Sequence, residues 1–396
     1  MDTRTTCRSC AAAQLDLLLD LGPQHPVDFP ATPDGITKPA SPVVVVRCRA
    51  CTLVQLLHTV PQADRYSTYW YRSGINELMV AELHDIVDKA RQLTAVTPRS
   101  IVLDIGANDG TLLAAWGKGP YRIAVEPATN LYEALAPHAE QVHQECWPTS
   151  AVAYLPCHSV SVVTSIAMAY GADDLGAFIG AIARVLKDDG VWIVQFQDLL
   201  SGMRTAAVDY LVHEHLMWFS LYSLIQVLAD HGLQVMDVEP RAINGGSLRC
   251  YVQRVAPARV PSDRVRDYLF AEGDAGLVSP PESPASCWPE FKRKVDLIRA
   301  AVPATVQAAL DAGLTVDLYG ASTKATLLLQ LCGLDRSSLR WAVERQSQKV
   351  GRYVGATGIP IVSEETWRAN PGSMALLGIS QFKAAVLKRE AGYRGG

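Results

Sequence analysis

At 396 residues, of which 49% are hydrophobic, the chain is too long for one ordinary core, so we expect several packed domains. Its 36 basic and 40 acidic residues nearly cancel, which excludes a global field that would gather nucleic acid or an anionic membrane, and we expect a small-molecule partner. No apolar run approaches the roughly 20 residues that span a bilayer, and the N-terminus lacks the apolar core of a signal peptide, so we expect a cytoplasmic protein.

The N-terminal stretch, residues 1–65, contains two Cys-x-x-Cys pairs separated by a proline-rich loop. The paired residues are Cys7, Cys10, Cys48 and Cys51. Four thiolates at this spacing can complete a closed tetrahedral zinc site, and so small a unit with so much loop needs a metal to fold. A redox dithiol is the alternative, but it usually needs one pair on a βαβ scaffold. We therefore predict a structural zinc ion.

A doubly wound α/β domain is predicted over residues 66–255. A helical pattern from residue 77 leads to a short buried strand that ends in a glycine turn, and strand and helix signals then alternate. We expect strands at 100–104, 122–126, 160–165 and 190–196, and helices at 131–136, 175–186 and 221–231. Such β-α pairs imply a mainly parallel sheet, which strands at 235–239 and 247–253 could finish as an antiparallel hairpin.

A smaller Rossmann-like α/β domain is predicted over residues 256–396. Residues 273–289 are rich in Pro, Ser and Gly and indicate a loop or linker. The elements expected after it are a helix at 291–312, a strand at 315–319, a glycine turn, a helix from about residue 324 and a strand at 339–343.

The first strand of the larger domain runs into Asp104-Ile-Gly-Ala-Asn-Asp-Gly110. Gly106 and Gly110 let backbone N–H groups approach a ligand, and Glu126, at the end of the next strand, can accept both ribose hydroxyls. Asp104 fits a cofactor with a cationic amino-acid end better than one with a pyrophosphate. The alternative is an ordinary βα turn. We favour S-adenosylmethionine over a dinucleotide.

The tripeptide His213-Glu214-His215 follows this domain's main sheet pattern. Two imidazoles that flank a carboxylate can supply a general base with a pKa near neutrality and a group that orients it. Metal binding is one alternative, but no third ligand with matching spacing is visible nearby. A solvated polar loop end is the other alternative.

Two further glycine motifs could contact a ligand. Paired glycines in Asn244-Gly-Gly-Ser-Leu-Arg249 allow close backbone approach, and Arg249 could meet a phosphate. In Tyr319-Gly-Ala-Ser-Thr-Lys324 a helix N-terminus with hydroxyls and Lys324 suits an anion such as a diphosphate. The second motif lacks the repeated glycines of a dinucleotide fingerprint, so we do not expect catalytic NAD binding. Plain turns are the alternative for both.

Taken in order, these motifs resemble the bacterial C-methyltransferases that act on nucleotide-linked 4-keto deoxysugars in antibiotic biosynthesis. The resemblance covers nearly the whole chain and includes the cysteine pairs, Ile-Gly-x-Asn-Asp-Gly, His-Glu-His-x-x-x-Phe-Ser, Gly-Gly-Ser-Leu-Arg, Tyr-Gly-Ala-Ser-x-Lys and Gly-x-x-Ile-Pro-Ile. It implies a class I S-adenosylmethionine-dependent methyltransferase fold between the zinc module and the C-terminal domain.

The resemblance also implies a mechanism and a set of site residues. His215 would remove a proton next to the substrate ketone, with help from Glu214 and His213, and the enolate would then take the methyl group. The cofactor would lie over Gly106, Asn108 and Asp109, and the nucleotide would face the C-terminal domain. The substrate contacts expected on this basis are Tyr71, Tyr170, Asn244, Ser247, Arg249, Lys324 and Arg352.

The chain departs from the family pattern on the substrate side. Val212 stands where a tyrosine is usual, Asn244 where a histidine is usual, and residues 165–170 and 379–382 lack an Asn, a His and a Trp-His-Phe segment. These departures indicate a changed substrate or a changed reaction. The alternatives are methylation of oxygen or nitrogen on another small molecule, and a fold repurposed for a non-methylating step or as a partner protein in a biosynthetic complex.

Overall fold

The computed structural model describes residues 2–36, 38–66, 68–150, 154–256 and 259–395. These residues form a small N-terminal module, a central domain around a seven-stranded sheet and a C-terminal domain around a five-stranded sheet. Across the described ranges, no helix has the length and apolar character to cross a membrane.

The N-terminal module contains more strand than the sequence predicted. Its elements are β1 (Asp2–Thr3), β2 (Leu15–Gln24), β3 (Ser41–Cys48), β4 (Val54–Leu56), β5 (His58–Thr59) and α1 (Gln62–Tyr66). Strands β2, β3 and β4 pair antiparallel. β2 buries Leu19 and Leu21 on one face while Asp20 between them is exposed, an alternation typical of a half-buried strand. We had expected a loop here.

The central domain carries the predicted α/β alternation. Its elements are α2 (Glu77–Leu93), β6 (Ile101–Ile105), α3 (Thr111–Ala115), β7 (Tyr121–Val125), α4 (Tyr132–Leu135), β8 (Gln141–His143), β9 (Val160–Ile166), α5 (Leu175–Val185), β10 (Leu186–Gln197), α6 (Leu199–Thr205), β11 (Met217–Trp218), α7 (Leu221–Ala229), β12 (Leu233–Arg241) and β13 (Ser247–Arg254).

The strand order of the central sheet is β12-β13-β10-β9-β6-β7-β8. β10, β9, β6, β7 and β8 are parallel, whereas β13 runs antiparallel to both of its neighbours. The predicted closing hairpin is therefore confirmed. This order, with its reversal beside β6, is that of the doubly wound sheet predicted for a class I methyltransferase fold, and it places ligands at the carboxyl ends of the parallel strands.

The C-terminal domain has its own mainly parallel sheet. Its elements are α8 (Asp263–Asp274), α9 (Trp288–Asp311), β14 (Val316–Tyr319), α10 (Thr323–Leu331), β15 (Ala342–Glu344), β16 (Tyr353–Val354), β17 (Ile359–Ser363), α11 (Glu364–Ala369), β18 (Met374–Leu377) and α12 (Lys383–Arg389). The strand order is β16-β17-β15-β14-β18, with β16 antiparallel to β17. This mainly parallel sheet with helices agrees with the smaller Rossmann-like domain that the sequence predicts.

The predicted linker at 273–289 is a packed connection. The unpredicted helix α8 precedes it, and Val265 of α8 lies in the same core as Val235 of β12. Arg47 of β3 donates a hydrogen bond of 2.6 Å to the Val278 carbonyl. The connection therefore lies against the first two parts of the molecule.

Strand β11 leaves the central domain and joins the sheet of the N-terminal module. Met217 pairs with Gln55, Trp218 pairs with Val54, and the Leu56 N–H donates 2.9 Å to the Leu216 carbonyl. The His-Glu-His tripeptide lies immediately before β11. It is therefore held at the junction of the module and the central domain.

Candidate active site and metal centre

The four predicted zinc ligands converge at one end of the N-terminal sheet. Their sulfur atoms all lie within 4.8 Å of one another, and the distances from Cys7 Sγ to Cys51 Sγ and from Cys10 Sγ to Cys48 Sγ are both 3.5 Å. A zinc ion about 2.3 Å from four thiolates sets its sulfurs roughly 3.8 Å apart, so the donor set and the spacing fit tetrahedral zinc. Four protein ligands would close the coordination shell of a zinc ion held here, as in structural zinc sites.

Each Cys-x-x-Cys pair forms the same backbone turn. The Ala11 N–H donates to the Cys7 carbonyl and the Thr52 N–H to the Cys48 carbonyl, both over 3.1 Å. Ala11 and Thr52 also share a positive φ, 58° and 63°. The repeated geometry turns the sulfurs of both pairs toward one point.

The glycine loop, residues 106–110, joins β6 to α3 at the carboxyl edge of the central sheet. Gly106 and Gly110 have φ angles of 74° and 80°, a region that side chains rarely adopt. A Cβ on Gly106 would lie 2.7 Å from Cγ of Met168. The loop therefore needs glycine for both its turn and its close packing.

Glu126 follows β7 directly and holds the glycine loop in place. Its Oε2 accepts a hydrogen bond from the Asn108 N–H and its Oε1 from the Ala128 N–H, both 2.9 Å long. Burial raises the pKa of Glu126, and the two N–H groups oppose that rise. A carboxylate has about four acceptor sites, so two remain for the hydroxyls of a ribose.

Asp104 lies at the end of β6, deep in the same edge of the sheet. The Thr164 hydroxyl donates a hydrogen bond of 2.6 Å to it. Burial raises the pKa of Asp104 to about 7, and the negative charge of Glu126 adds to that rise. A cationic ligand would reverse the shift, so the site fits the amino end of S-adenosylmethionine.

An aromatic segment, residues 68–75, lies against the glycine loop. Asn108 accepts a hydrogen bond of 3.0 Å from the Ser73 N–H and donates one of 3.1 Å to the Tyr71 carbonyl. Asp109 accepts 2.8 Å from the next N–H along the segment. Two predicted cofactor residues thus use their side chains to fasten this segment over the site.

His215 uses one ring nitrogen to contact the backbone. Its Nδ1 lies 2.9 Å from the Tyr210 carbonyl oxygen, which can only accept, so Nδ1 carries the proton. Nε2 has no hydrogen-bond partner within the described residues. The ring of Tyr170 packs edge-on against the imidazole. His215 therefore has a free acceptor nitrogen, the arrangement that a general base needs.

Burial determines the protonation of His215. Burial lowers the pKa of the imidazole to about 3. The hydrogen bond to the Tyr210 carbonyl opposes this lowering, whereas the positive charge of Lys324 adds to it. The expected pKa near neutrality is thus wrong for the free protein. The physical reason is that the half-buried ring has lost much of the water that would stabilise its charge.

Glu214 and His213 face different surroundings. Glu214 Oε2 is buried without a hydrogen-bond partner in the described chain, and burial raises the pKa of this carboxyl. His213 is 3% exposed, and its Nε2 lies 3.1 Å from the Ser41 carbonyl of β3. The expected grouping of both histidines around one reacting atom is absent, because His213 is directed into the N-terminal module.

Lys324 brings the C-terminal domain to this site. Its Nζ donates 3.0 Å to the Asn244 carbonyl and lies 3.7 Å from the centre of the Tyr210 ring. The Tyr210 hydroxyl donates to the same carbonyl. Burial lowers the pKa of Lys324 to about 8, and the Asp209 carboxylate opposes this. Lys324 and His215 thus both contact Tyr210.

Two expected substrate contacts have other roles in the structure. Arg249 is fully buried and donates to Glu82 and Asp85 over 2.8 and 2.6 Å, so it is engaged in an ionic network and not available to a phosphate. Ser247 is buried and donates 3.1 Å to the Ile243 carbonyl. The predicted substrate contacts of both residues are therefore replaced by contacts within the protein.

Arg352 packs against the aromatic segment, to which Tyr71 belongs. The Arg352 guanidinium lies 5.1 Å from the centre of the Trp70 ring and donates 3.0 Å to the Phe29 carbonyl. Tyr71, the next residue, is 36% exposed and can still meet a ligand. Arg352 thus links the C-terminal domain to Phe29 and to the aromatic segment.

Sequence reasoning missed several residues that build the site. They are Arg65, Tyr66, Tyr69 and Tyr210. Tyr66 and Tyr69 belong to an aromatic cluster, and the nearby carboxylates of Glu214 and Glu126 add to the effect of burial in raising the pKa of Tyr69. The density of aromatic residues at 66–71 was the available signal.

Three protein-family models match consecutive parts of the chain. A zinc binding domain matches residues 7–66, a methyltransferase domain residues 71–238 and a C-methyltransferase C-terminal domain residues 242–396. The chain is also 27% identical over 331 residues to C-methyltransferase NovU of Streptomyces niveus, which covers 82% of this chain and 77% of that protein. The three domain matches and this relative indicate an S-adenosylmethionine-dependent C-methyltransferase.

Solved structures resemble the chain over less than half its length. The geranyl diphosphate C-methyltransferase of Streptomyces coelicolor A3(2) is 13% identical with a TM-score of 0.36, over 45% of this chain and 77% of that one. A SAM-dependent methyltransferase of Aquifex aeolicus is 15% identical with a TM-score of 0.36, over 46% of this chain and 96% of that one.

Proposed function

We propose that the protein transfers a methyl group to the carbon next to the ketone of a nucleotide-linked 4-keto deoxysugar. The observation that carries the proposal is the imidazole of His215, which packs against the Tyr170 ring and whose Nε2 has no hydrogen-bond partner within the described residues. The motif resemblance supports a nucleotide sugar as the substrate. Bound S-adenosylmethionine supplies an electrophilic methyl group.

His215 is the proposed base. It is neutral above a pH of about 3, so its Nε2 can accept the proton that leaves the substrate carbon. The negative charge that develops on the ketone oxygen then favours the imidazolium and raises the proton affinity of His215 during the reaction. The Tyr210 carbonyl keeps the proton on Nδ1 and so preserves the required tautomer.

Two groups are proposed to stabilise the enolate. The Tyr170 ring is buried against His215, which would bring its hydroxyl near the ketone oxygen. The Lys324 ammonium has three donors, one of which is used by the Asn244 carbonyl, and its positive charge favours an anion nearby. We further propose that Asn244, Tyr71 and Arg352 border the substrate.

Substrate and atom can be identified in one experiment. The protein is incubated in deuterated water with S-adenosylmethionine and a panel of nucleotide-linked 4-keto deoxysugars, and product masses are recorded. A gain of one methyl, located on carbon by NMR, supports the proposal. A methyl on oxygen or nitrogen contradicts the carbon assignment. Tight cofactor binding with neither methyl gain nor deuterium uptake favours a repurposed fold in a biosynthetic complex.

A further inference from the structure

Arg65 and Tyr66 form a buried link between the zinc module and the reaction centre. They are the last two residues of α1, which the zinc binding model includes. The Arg65 side chain is fully enclosed. Its Nε donates 3.0 Å to the Val60 carbonyl, which belongs to the module itself. A buried guanidinium is costly unless its donors are used, so its remaining contacts are informative.

The other donors of Arg65 reach the turn that carries Tyr170. Nη1 donates 3.0 Å to the Gly171 carbonyl and 3.2 Å to the Tyr66 hydroxyl, and Nη2 pairs with the Asp173 carboxylate. Gly171 follows Tyr170 directly in the chain. Arg65 therefore fixes the backbone that presents the Tyr170 ring to His215.

The Tyr66 hydroxyl continues this link to the His-Glu-His tripeptide. It accepts the bond from Arg65 and donates one of 2.8 Å to the Glu214 carbonyl, adjacent to His215. The approach is close: a Cβ on Gly171 would lie 2.1 Å from the Tyr66 oxygen and 3.1 Å from the Glu214 carbonyl oxygen. One phenol thus spans the two backbones that carry the facing rings of Tyr170 and His215.

We propose that Tyr66, supported by Arg65, is a positioning residue of the zinc module that sets the geometry of His215 against Tyr170. This inference rests on the proposed function for its effect on turnover. It also gives the zinc module a role in positioning the proposed reacting groups, because Arg65 and Tyr66 belong to that module and contact the backbones next to Tyr170 and His215.

The test compares Tyr66→Phe with Tyr393→Phe. Each change removes one phenol that donates to a backbone carbonyl, and the Tyr393 donor reaches the Gly372 carbonyl at 2.9 Å in the C-terminal domain. We expect Tyr66→Phe to lower kcat about tenfold, the size of one lost hydrogen bond, with the KM for S-adenosylmethionine and the zinc content unchanged. Amide hydrogen exchange over residues 169–173 and 213–216 should become faster. Tyr393→Phe should leave all four quantities unchanged.

Gly171→Ala provides a second test. Its φ is not positive, so the backbone accepts alanine, but the new methyl displaces the Tyr66 oxygen. We expect Gly171→Ala to lower kcat as well, and adding Tyr66→Phe to it to cause little further loss, because both changes break one contact. Additive losses contradict the proposal.

Two results would overturn the inference. The first is a Tyr66→Phe variant whose kcat and amide exchange rates equal those of the wild-type protein. The second is a Tyr66→Phe variant with faster exchange but an unchanged kcat, which would show that the contact is structural only. If the wild-type protein methylates no keto sugar, the proposed function fails by itself. Hydrogen exchange in Tyr66→Phe then decides the inference, since unchanged exchange over both segments contradicts it and faster exchange retains the positional link.

Discussion

The imidazole of His215 and the ring of Tyr170 lie edge to face, with 4.3 Å between their centroids and 64° between their planes. The two residues come from different connections of the central domain, and each is fastened through its own backbone. Their contact therefore depends on the relative placement of two loops. The proposed reaction centre thus depends on the packing of the whole molecule and not on any single motif.

Replacing His215 with Asn should remove the base and keep the local structure. The Asn amide nitrogen can still donate to the Tyr210 carbonyl, as Nδ1 does now, but nothing replaces Nε2. We expect kcat to fall by about 10²- to 10⁴-fold, the usual range for loss of a general base, with cofactor affinity unchanged. Steady-state kinetics and calorimetric titration with S-adenosylmethionine measure the two effects. Retained turnover would exclude His215 as the base, and His84→Asn, at an exposed helix position, is the control.

His213 should make folding stability depend on pH. Burial lowers its pKa from 6.5 to about 4, so the unfolded state binds the proton more readily and stability falls as the pH drops below about 6.5. The linkage amounts to about 2 kcal/mol between pH 7 and pH 5. His213→Gln keeps a nitrogen donor for the Ser41 carbonyl but cannot be protonated. Urea unfolding at both pH values should show a smaller loss in this variant, and an equal loss would contradict the assignment.

Lys324 should determine the alkaline limit of substrate binding. Since burial lowers its pKa to about 8, the ammonium loses its proton as the pH rises above that value, and attraction for an anionic substrate weakens. We expect Lys324→Met to lower kcat/KM about 10- to 100-fold at pH 7, the range for a lost charged hydrogen bond, because Lys324 is proposed to attract both the substrate and the enolate. Lys324→Arg should retain affinity at pH 9, where the wild-type protein loses it. Parallel pH profiles for wild type and Arg variant would contradict this role.

Zinc should be required for the fold of the N-terminal module. Cys48→Ser removes one of four ligands, and we expect loss of bound zinc and a melting temperature lower by about 10 °C or more, because the ion holds two distant turns together. Plasma emission spectroscopy and calorimetry measure both. Cys157→Ser, at an exposed cysteine outside the cluster, is the matched control and should retain one zinc per chain. Unchanged stability after verified zinc loss would rule out a structural ion.

The fold was predictable where a pattern repeats locally. The short buried-strand signals of the central domain predicted the parallel strands β6, β7, β9 and β10 but not the three-residue β8, and the cysteine spacing predicted the zinc ligands. Helix α8 was missed, because Arg264, Asp267 and other charged residues leave it only a weak apolar stripe. β11 was missed because two residues carry no periodicity. Its pairing with β4 is a tertiary contact that sequence patterns do not encode.

The candidate site was predictable in chemistry but less so in geometry. Glu126 follows β7 at the carboxyl edge of the sheet, as its chain position suggested, whereas the contact of His215 with Tyr170 could not be predicted from the sequence. Arg249 has the residue type of a phosphate ligand, yet its strand turns it toward Glu82 and Asp85 of α2. Only the three-dimensional packing shows which residues pair with a buried charged side chain.

The pairing of β11 with β4 limits how this protein can be divided. A fragment without residues 1–66 would expose an unpaired edge at Met217 and Trp218, and a fragment that ends at residue 66 would lack the fourth strand of its sheet. If the zinc module were exchanged between relatives, the pairing of β4 with β11 would join strands from two different proteins unless the tripeptide and β11 were transferred with the module. The structural unit that contains the zinc module is therefore built from two separate stretches of the chain.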